Sequence, residues 1–196
     1  MHALAIGFGL GFAVALQLGP MSLYLVRSTL AAGLGVGLAI GFGIALVDAL
    51  YAAAGAAGAA SLLAVGPLKT AFGLLGAAVL VVLGVRTLRS SVRETDGATA
   101  ATPRRAFVTS FGATAANPLT IASWAAVFAA AGAAGAGEAP VLVAGVGLGS
   151  LAWVTLLAAG TALARRAVGP AAMRVADLVA GTALLGFGAV LALSVV

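Results

Sequence analysis

Cysteine is absent from the chain, and histidine occurs once, at His2. These absences exclude disulfides, thiolate metal sites and thiol-redox relays of the Cys-x-x-Cys type. A polyhistidine metal site and His-based catalysis inside the membrane are excluded with them. Charge is scarce too: 8% of residues are Asp, Glu, Lys or Arg, against about 25% in soluble domains. A chain this poor in charge cannot cover a water-facing surface, and no segment is left over for a soluble domain. The ten Lys and Arg outnumber the five Asp and Glu, for a formal net charge of +5. The basic residues lie in short loops between apolar runs, the orientation signal of membrane insertion rather than a nucleic-acid surface. Neither a nucleophile with a base nor a set of metal ligands is visible. An enzyme is therefore not expected, nor any cofactor or metal.

What the chain has is apolar length. It is 63% hydrophobic, with a mean hydropathy of +1.20. Runs longer than about 18 residues recur along nearly the whole sequence. Six spans are predicted, near Ala3–Val26, Val36–Leu63, Thr70–Leu88, Ala106–Ala134, Pro140–Ala164 and Arg174–Val195. All read as helices, because the strands of a membrane barrel would alternate polar and apolar residues. The first run lacks a basic leader and exceeds the ~7–15 residues of a secretory core, so it reads as a retained span.

Loops one, three and five hold nine of the ten basic residues: Arg27, then Arg86, Arg89, Arg93, Arg104 and Arg105, then Arg165, Arg166 and Arg174. Only Lys69 lies on the other side. The positive-inside rule places those three loops in the cytoplasm and both termini outside. The stretch "SSVRETDGATAATPRR" in loop three reads as a solvated, flexible linker. Glycines at every fourth position, Gly33/Gly37/Gly41 and Gly145/Gly149, let helices approach closely. Packing within one bundle is the expected use; a homodimer through the same stripes stays open.

The two sets of three spans correspond loosely. Span one carries an amide, a proline and a hydroxyl at Gln17, Pro20 and Ser22; span four carries them at Asn117, Pro118 and Thr120. "GFGIALVDALYAAAG" and "VGLGSLAWVTLLAAG" pair spans two and five, with Asp48 and Trp153 each seven residues before a glycine. An odd number of spans repeated must insert inverted the second time, with sites expected where matching helices are interrupted near the midplane. Repeat one runs over about 3–88, the linker over about 89–105 and repeat two over about 106–195, within one transmembrane domain. A proline in a helix removes a backbone bond but suits the first turn of a new helix. Met21 and Leu119 would then open half-helices whose free N–H groups attract an anion.

Asp48 is the one acid well inside a span, about twelve residues or ~18 Å from its start. An intramembrane acid marks an ion or substrate pathway by default, which makes Asp48 a candidate proton carrier. The bland alternative is a structural Asp paired with Gln17, Tyr51 or Asn117. Trp153 lies at similar depth, as core or cavity wall. Trp124 and Tyr51 read as core packing before cavity walls, Arg27 as a cytoplasmic anchor, and Asp177 as the local partner of Arg174.

The segments "QLGPMSLYLVRSTLAAGLGVGLAIGFGIALVDAL", "LKTAFGLLGAAVLVVLGVRTLRS", "FVTSFGATAANPLTIASWAAVF" and "GLGSLAW" together resemble the LysE/RhtB family of bacterial amino-acid exporters over essentially the full length. The family's Pro-Gly-Pro in span one is matched by Leu18-Gly19-Pro20, in which Leu18 replaces the first proline. Its span-two Asp is matched by Asp48, and its span-four Asn-Pro by Asn117-Pro118. The resemblance implies a multi-pass protein of the bacterial inner (plasma) membrane that exports amino acids or similar small metabolites, driven by protons. Residue roles carry over to Gly19, Pro20, Asp48, Asn117 and Pro118. The substrate or ion site expected from residues and resemblance together is Gln17, Gly19, Pro20, Ser22, Asp48, Asn117, Pro118, Thr120 and Trp153. The rival readings are a non-transporting accessory subunit and an exporter of another solute such as a cation.

Overall fold

The computed structural model describes residues 2–17, 19–57, 102–117, 120–121, 123–124 and 138–195, with further helical positions between 74 and 88. Leu18, Lys69, Arg86, Arg89, Arg93, Pro118 and Leu119 lie outside the described residues, as does the side chain of Asp177. Six helices are continuous: α1 (His2–Leu16), α2 (Pro20–Ala32), α3 (Leu34–Ala56), α4 (Pro103–Ala115), α5 (Ala139–Ala164) and α6 (Pro170–Val195). Among the described residues there is no strand.

The first predicted span is not one helix. It divides into α1 and α2, bent by 75° at the Gln17–Gly19 break. The sequence reason is local. Gly19 adopts an extended N-cap conformation, and Pro20 follows at the first helical position. Proline has no N–H to lose there, and its fixed φ already suits a helix. The end of α2 is equally sharp: Gly33, at φ +92°, makes the turn into α3. That left-handed region favours glycine over residues with a Cβ. Helix α4 opens on Thr102, whose hydroxyl accepts the Arg105 N–H at 3.4 Å, with Pro103 at its first position.

Among the described residues two helices, α3 and α5, are long and apolar enough to cross a membrane alone, and the bent α1–α2 pair makes a third candidate. Alone, α1 has 15 residues and extends about 22 Å, short of a ~30 Å hydrocarbon layer.

Contacts fix the helix directions. Helix α5 lies between α1 and α3. Leu4 meets Gly145 and Phe8 meets Gly149, so α1 and α5 run parallel. Gly37 faces Ala158 and Gly41 faces Val154, so α3 and α5 run antiparallel. Gly43 meets Phe107 and Ser110, and Tyr51 further along α3 reaches Ala115 further along α4, so α3 and α4 run parallel. Gly84 packs on Gly181 and Leu185, and Gly181 on Leu88, which sets that segment antiparallel to α6. The start of α3, the start of α4 and the end of α5 therefore share one side. Arg104, Arg105, Arg165 and Arg166 lie on it.

Lipid tails are as apolar as leucine, so membrane helices associate through close packing rather than hydrophobic transfer. Here the closest approach is α1 on α5. A Cβ on Gly7, Gly11 or Gly149 would run into the carbonyl oxygen of Leu142, Val146 or Phe8, respectively. The predicted Gly145/Gly149 stripe is thus spent inside the chain. A second buried cluster joins α2, α3 and α5 around Leu25, Ile40, Ile44, Val154 and Ala158.

Candidate functional site

The two helices that lead into the breaks are similar in length. Helix α1 ends after 15 residues and α4 after 13, or about 22 and 20 Å from their starts on opposite sides. The chain then restarts with the same bond in both places. Gly19 O accepts the Leu23 N–H at 3.2 Å, and Asn117 O accepts the Ile121 N–H at 3.1 Å. Each acceptor stands directly before a proline in the sequence.

Between the breaks lies a cavity of about 60 Å³. Its wall includes Gln17, Gly19, Pro20 and Ser22 from the first break, and Asn117 and Thr120 from the second. Asp48 comes from α3, and Val154 and Leu157 from α5. Of the nine predicted site residues, the structure thus brings seven together. Pro118 lies outside the described residues. Trp153 is not part of this wall; it sets its ring edge-on to Phe12, with centroids 5.6 Å apart. Its buried Nε1 has no hydrogen-bond partner among the described residues.

Asp48 is buried at 2% exposure, about 21 Å along α3 from its start and 12 Å from its end. Two neutral donors hold the carboxylate. Trp124 Nε1 donates to Oδ1 at 2.9 Å, and Ser150 Oγ donates to Oδ2 at 2.6 Å. These are not the partners expected from the sequence. Gln17 Oε1 instead accepts from Ser123 Oγ at 3.3 Å, and Tyr51 donates its hydroxyl to Ala115 O. The reason is reach. Tyr51 lies one turn beyond Asp48 on a helix parallel to α4, so its hydroxyl meets the end of α4, where carbonyls lack intrahelical partners.

Four polar residues of this region escaped the sequence reading: Ser150, Ser123, Thr114 and the donor role of Trp124. A signal existed for Trp124. An indole N–H inside a span needs an acceptor, and the strongest acceptor within the spans is the Asp48 carboxylate. The small hydroxyls gave none, since Ser and Thr are frequent packing residues in membrane helices.

Among the cavity-lining residues Asp48 alone carries an ionisable side chain, and no cation accompanies it. A solute here meets one carboxylate, several neutral hydroxyls and amides, and the opening turn of α2. First-turn N–H groups have no intrahelical acceptor and carry partial positive charge. Such a surface suits a small polar solute with groups of both signs.

Comparison with curated proteins and with solved structures finds no significant match. A model of the LysE type translocator family matches residues 12–195. That range starts on α1 one turn before the first break. It takes in both breaks, Asp48 and the whole cavity, and it reaches the last residue of α6. The chain belongs to the LysE type translocator family, membrane proteins that move small molecules rather than catalyse reactions.

Proposed function

We propose that the protein is a secondary transporter that exports small zwitterionic amino acids, or metabolites like them, across the bacterial plasma membrane in exchange for protons. The observation that carries this is the cavity between two equivalent helix breaks, with Asp48 in its wall. The solute carboxylate lies at the opening turn of α2, where the helix dipole favours an anion. Its ammonium group, or a proton, goes to Asp48. The size of the cavity points to the smallest amino acids. One water needs roughly 10–15 Å³, so there is room for about four to six waters and few more atoms than that.

Alternating access follows from six spans in two inverted repeats rocking about the site. Support comes from the opposed directions of the two broken helices and from the repeated opening bond at Gly19 and Asn117. The shared side of Arg104, Arg105, Arg165 and Arg166 is assigned to the cytoplasm, which leaves both termini outside. A non-transporting accessory subunit would predict no cavity at Asp48, and the cavity argues against it.

The experiment is efflux from cells loaded with dipeptides of glycine, alanine or serine, with and without the protein. Faster appearance of the free amino acid outside is expected. Equal release from both cell lines, for every amino acid tried, would sink the amino-acid reading. A parallel screen of lost metabolites and cations would then identify another solute.

A further inference from the structure

Thr114 stands one residue before the end of α4 and lines the cavity. It is 2% exposed, and its Oγ1 is buried without a hydrogen-bond partner among the described residues. Other buried hydroxyls in the fold behave differently. Thr29 donates to Leu25 O at 2.7 Å, Ser110 to Phe107 O at 3.0 Å, and Ser150 to Asp48 at 2.6 Å. In each case the fold supplies the acceptor, often a carbonyl one turn back in the same helix. Thr114 has the same option in principle and does not take it. A buried hydroxyl left unmade is costly, and one that survives usually has a ligand or a function to explain it.

We infer that the Thr114 hydroxyl is a solute-binding group: it completes its hydrogen bonding within the protein when a polar solute occupies the cavity, and it selects for solutes that offer that bond. The inference rests on the transporter reading above and sharpens it. Asp48 is already held by two donors and attracts the cationic end of a solute. The opening turn of α2 attracts the anionic end. Thr114 adds a neutral group that can donate or accept. Charge alone does not discriminate among zwitterions, but a hydroxyl that must be satisfied does. Sites built to hydrogen-bond a substrate reject analogues lacking the matching group, because the site's own polar atom is then left unpaired.

The test compares wild type with Thr114→Val, which keeps the shape and removes the hydroxyl, and with Thr114→Ser, which keeps the hydroxyl. Two readouts are taken: glycine, alanine and serine efflux over a range of internal concentrations, and the thermal midpoint of the purified protein without solute. Thr114→Val is expected to raise the half-saturating concentration about fivefold to tenfold, the loss of one net hydrogen bond, with the maximal rate much less changed. Thr114→Ser should restore the wild-type value. Without solute, Thr114→Val should melt at a higher temperature than wild type, because an unsatisfied buried hydroxyl has been replaced by a methyl group. Unchanged half-saturation in Thr114→Val overturns the inference while leaving amino-acid export intact. A lower solute-free midpoint in Thr114→Val also overturns it, since the hydroxyl is then already bonded within the fold. If wild type exports none of the three amino acids, the substrate reading falls; a lower solute-free midpoint still overturns the Thr114 role, and the half-saturation comparison is repeated with the solute that the metabolite screen identifies.

Discussion

Ser150 donates its hydroxyl to Asp48 Oδ2 at 2.6 Å, across 102 residues of sequence. The bond ties α5, in the second half of the chain, to α3 in the first. Trp124 completes the arrangement from the other side of the carboxylate at 2.9 Å. Interhelical hydrogen bonds in membranes average about 0.6 kcal/mol, and bonds to charged groups are stronger, so Ser150→Ala or Trp124→Phe alone should cost about 1–2 kcal/mol. The double variant strands the carboxylate with neither donor and should lose more than the two singles added together. Unfolding in mixed micelles measures all four proteins. Simple additivity would show that the two donors act independently.

Replacing Asp48 by Asn separates fold from transport. An amide still accepts from Trp124 through its oxygen and can donate to Ser150, so the variant should fold. It can neither carry a proton nor attract an ammonium group by charge. Efflux from proteoliposomes under an imposed pH gradient should fall at least about tenfold, equivalent to ~1.4 kcal/mol. What activity is left should no longer follow the gradient. Wild-type efflux with wild-type pH dependence would remove Asp48 from the mechanism.

Gly11 and Gly9 form a matched pair on α1. A Cβ on Gly11 would collide with the Val146 carbonyl of α5, whereas one on Gly9 would meet nothing within 4 Å. Gly11→Ala should therefore cost about 1–3 kcal/mol through overpacking. Gly9→Ala should be neutral or mildly stabilising, because alanine is the better helix former. Thermal midpoints in detergent read the difference. Equal effects would mean that α1 and α5 do not pack backbone to backbone.

How much of this was legible in the sequence depends on how local each cause is. The break at Gly19-Pro20 was legible because proline's missing N–H acts on its own helix. Asp48 was legible because one charge in an apolar run stands out alone. The depth of the bend was not, since 75° depends on what α2 packs against. Nor were Asp48's partners. Trp124 and Ser150 are 76 and 102 residues away, and only the crossing of α3 with α5 and with the residues after Asn117 selects them. Thr114 was invisible for a different reason. Its significance is a bond it does not make, and no local pattern records that. Trp153 read equally as core or cavity wall; its ring stands edge-on to Phe12 and packs against the buried cluster of α2, α3 and α5, a choice that depends on neighbours distant in sequence.

Tyr51 reaches from α3 to Ala115 O, at the end of α4 and just before the second break. Removing that hydroxyl with Tyr51→Phe leaves a partly buried terminal carbonyl short of its donor. A cost of about 1–2 kcal/mol follows, and it should fall on the break itself. Hydrogen exchange at residues 114–117 should quicken more than exchange elsewhere in α4. Uniform exchange along α4 would show that the break is held by other contacts.

Arg165, at the end of α5, donates through Nη2 to Ala31 O in the last turn of α2, at 3.0 Å. The last carbonyls of a helix lack partners within it, and a cation there also suits the helix dipole. The bond joins the two halves of the chain on the basic side, directly beside the Gly33 turn. On the proposed alternating-access cycle, opening of that side toward the cavity would break this bond. Absence of cysteine makes the opening measurable, because one introduced thiol is the only target for a maleimide. Leu157→Cys places that thiol in the cavity wall. Arg165→Gln in this background should speed labelling from the basic side about twofold to fivefold. That is the population shift expected from losing an exposed charged bond of about 0.5–1 kcal/mol. Labelling from the opposite side should not speed up, so the ratio of the two rates shifts toward the basic side by that factor. Unchanged rates on both sides would show that Arg165 anchors α2 without holding that side closed.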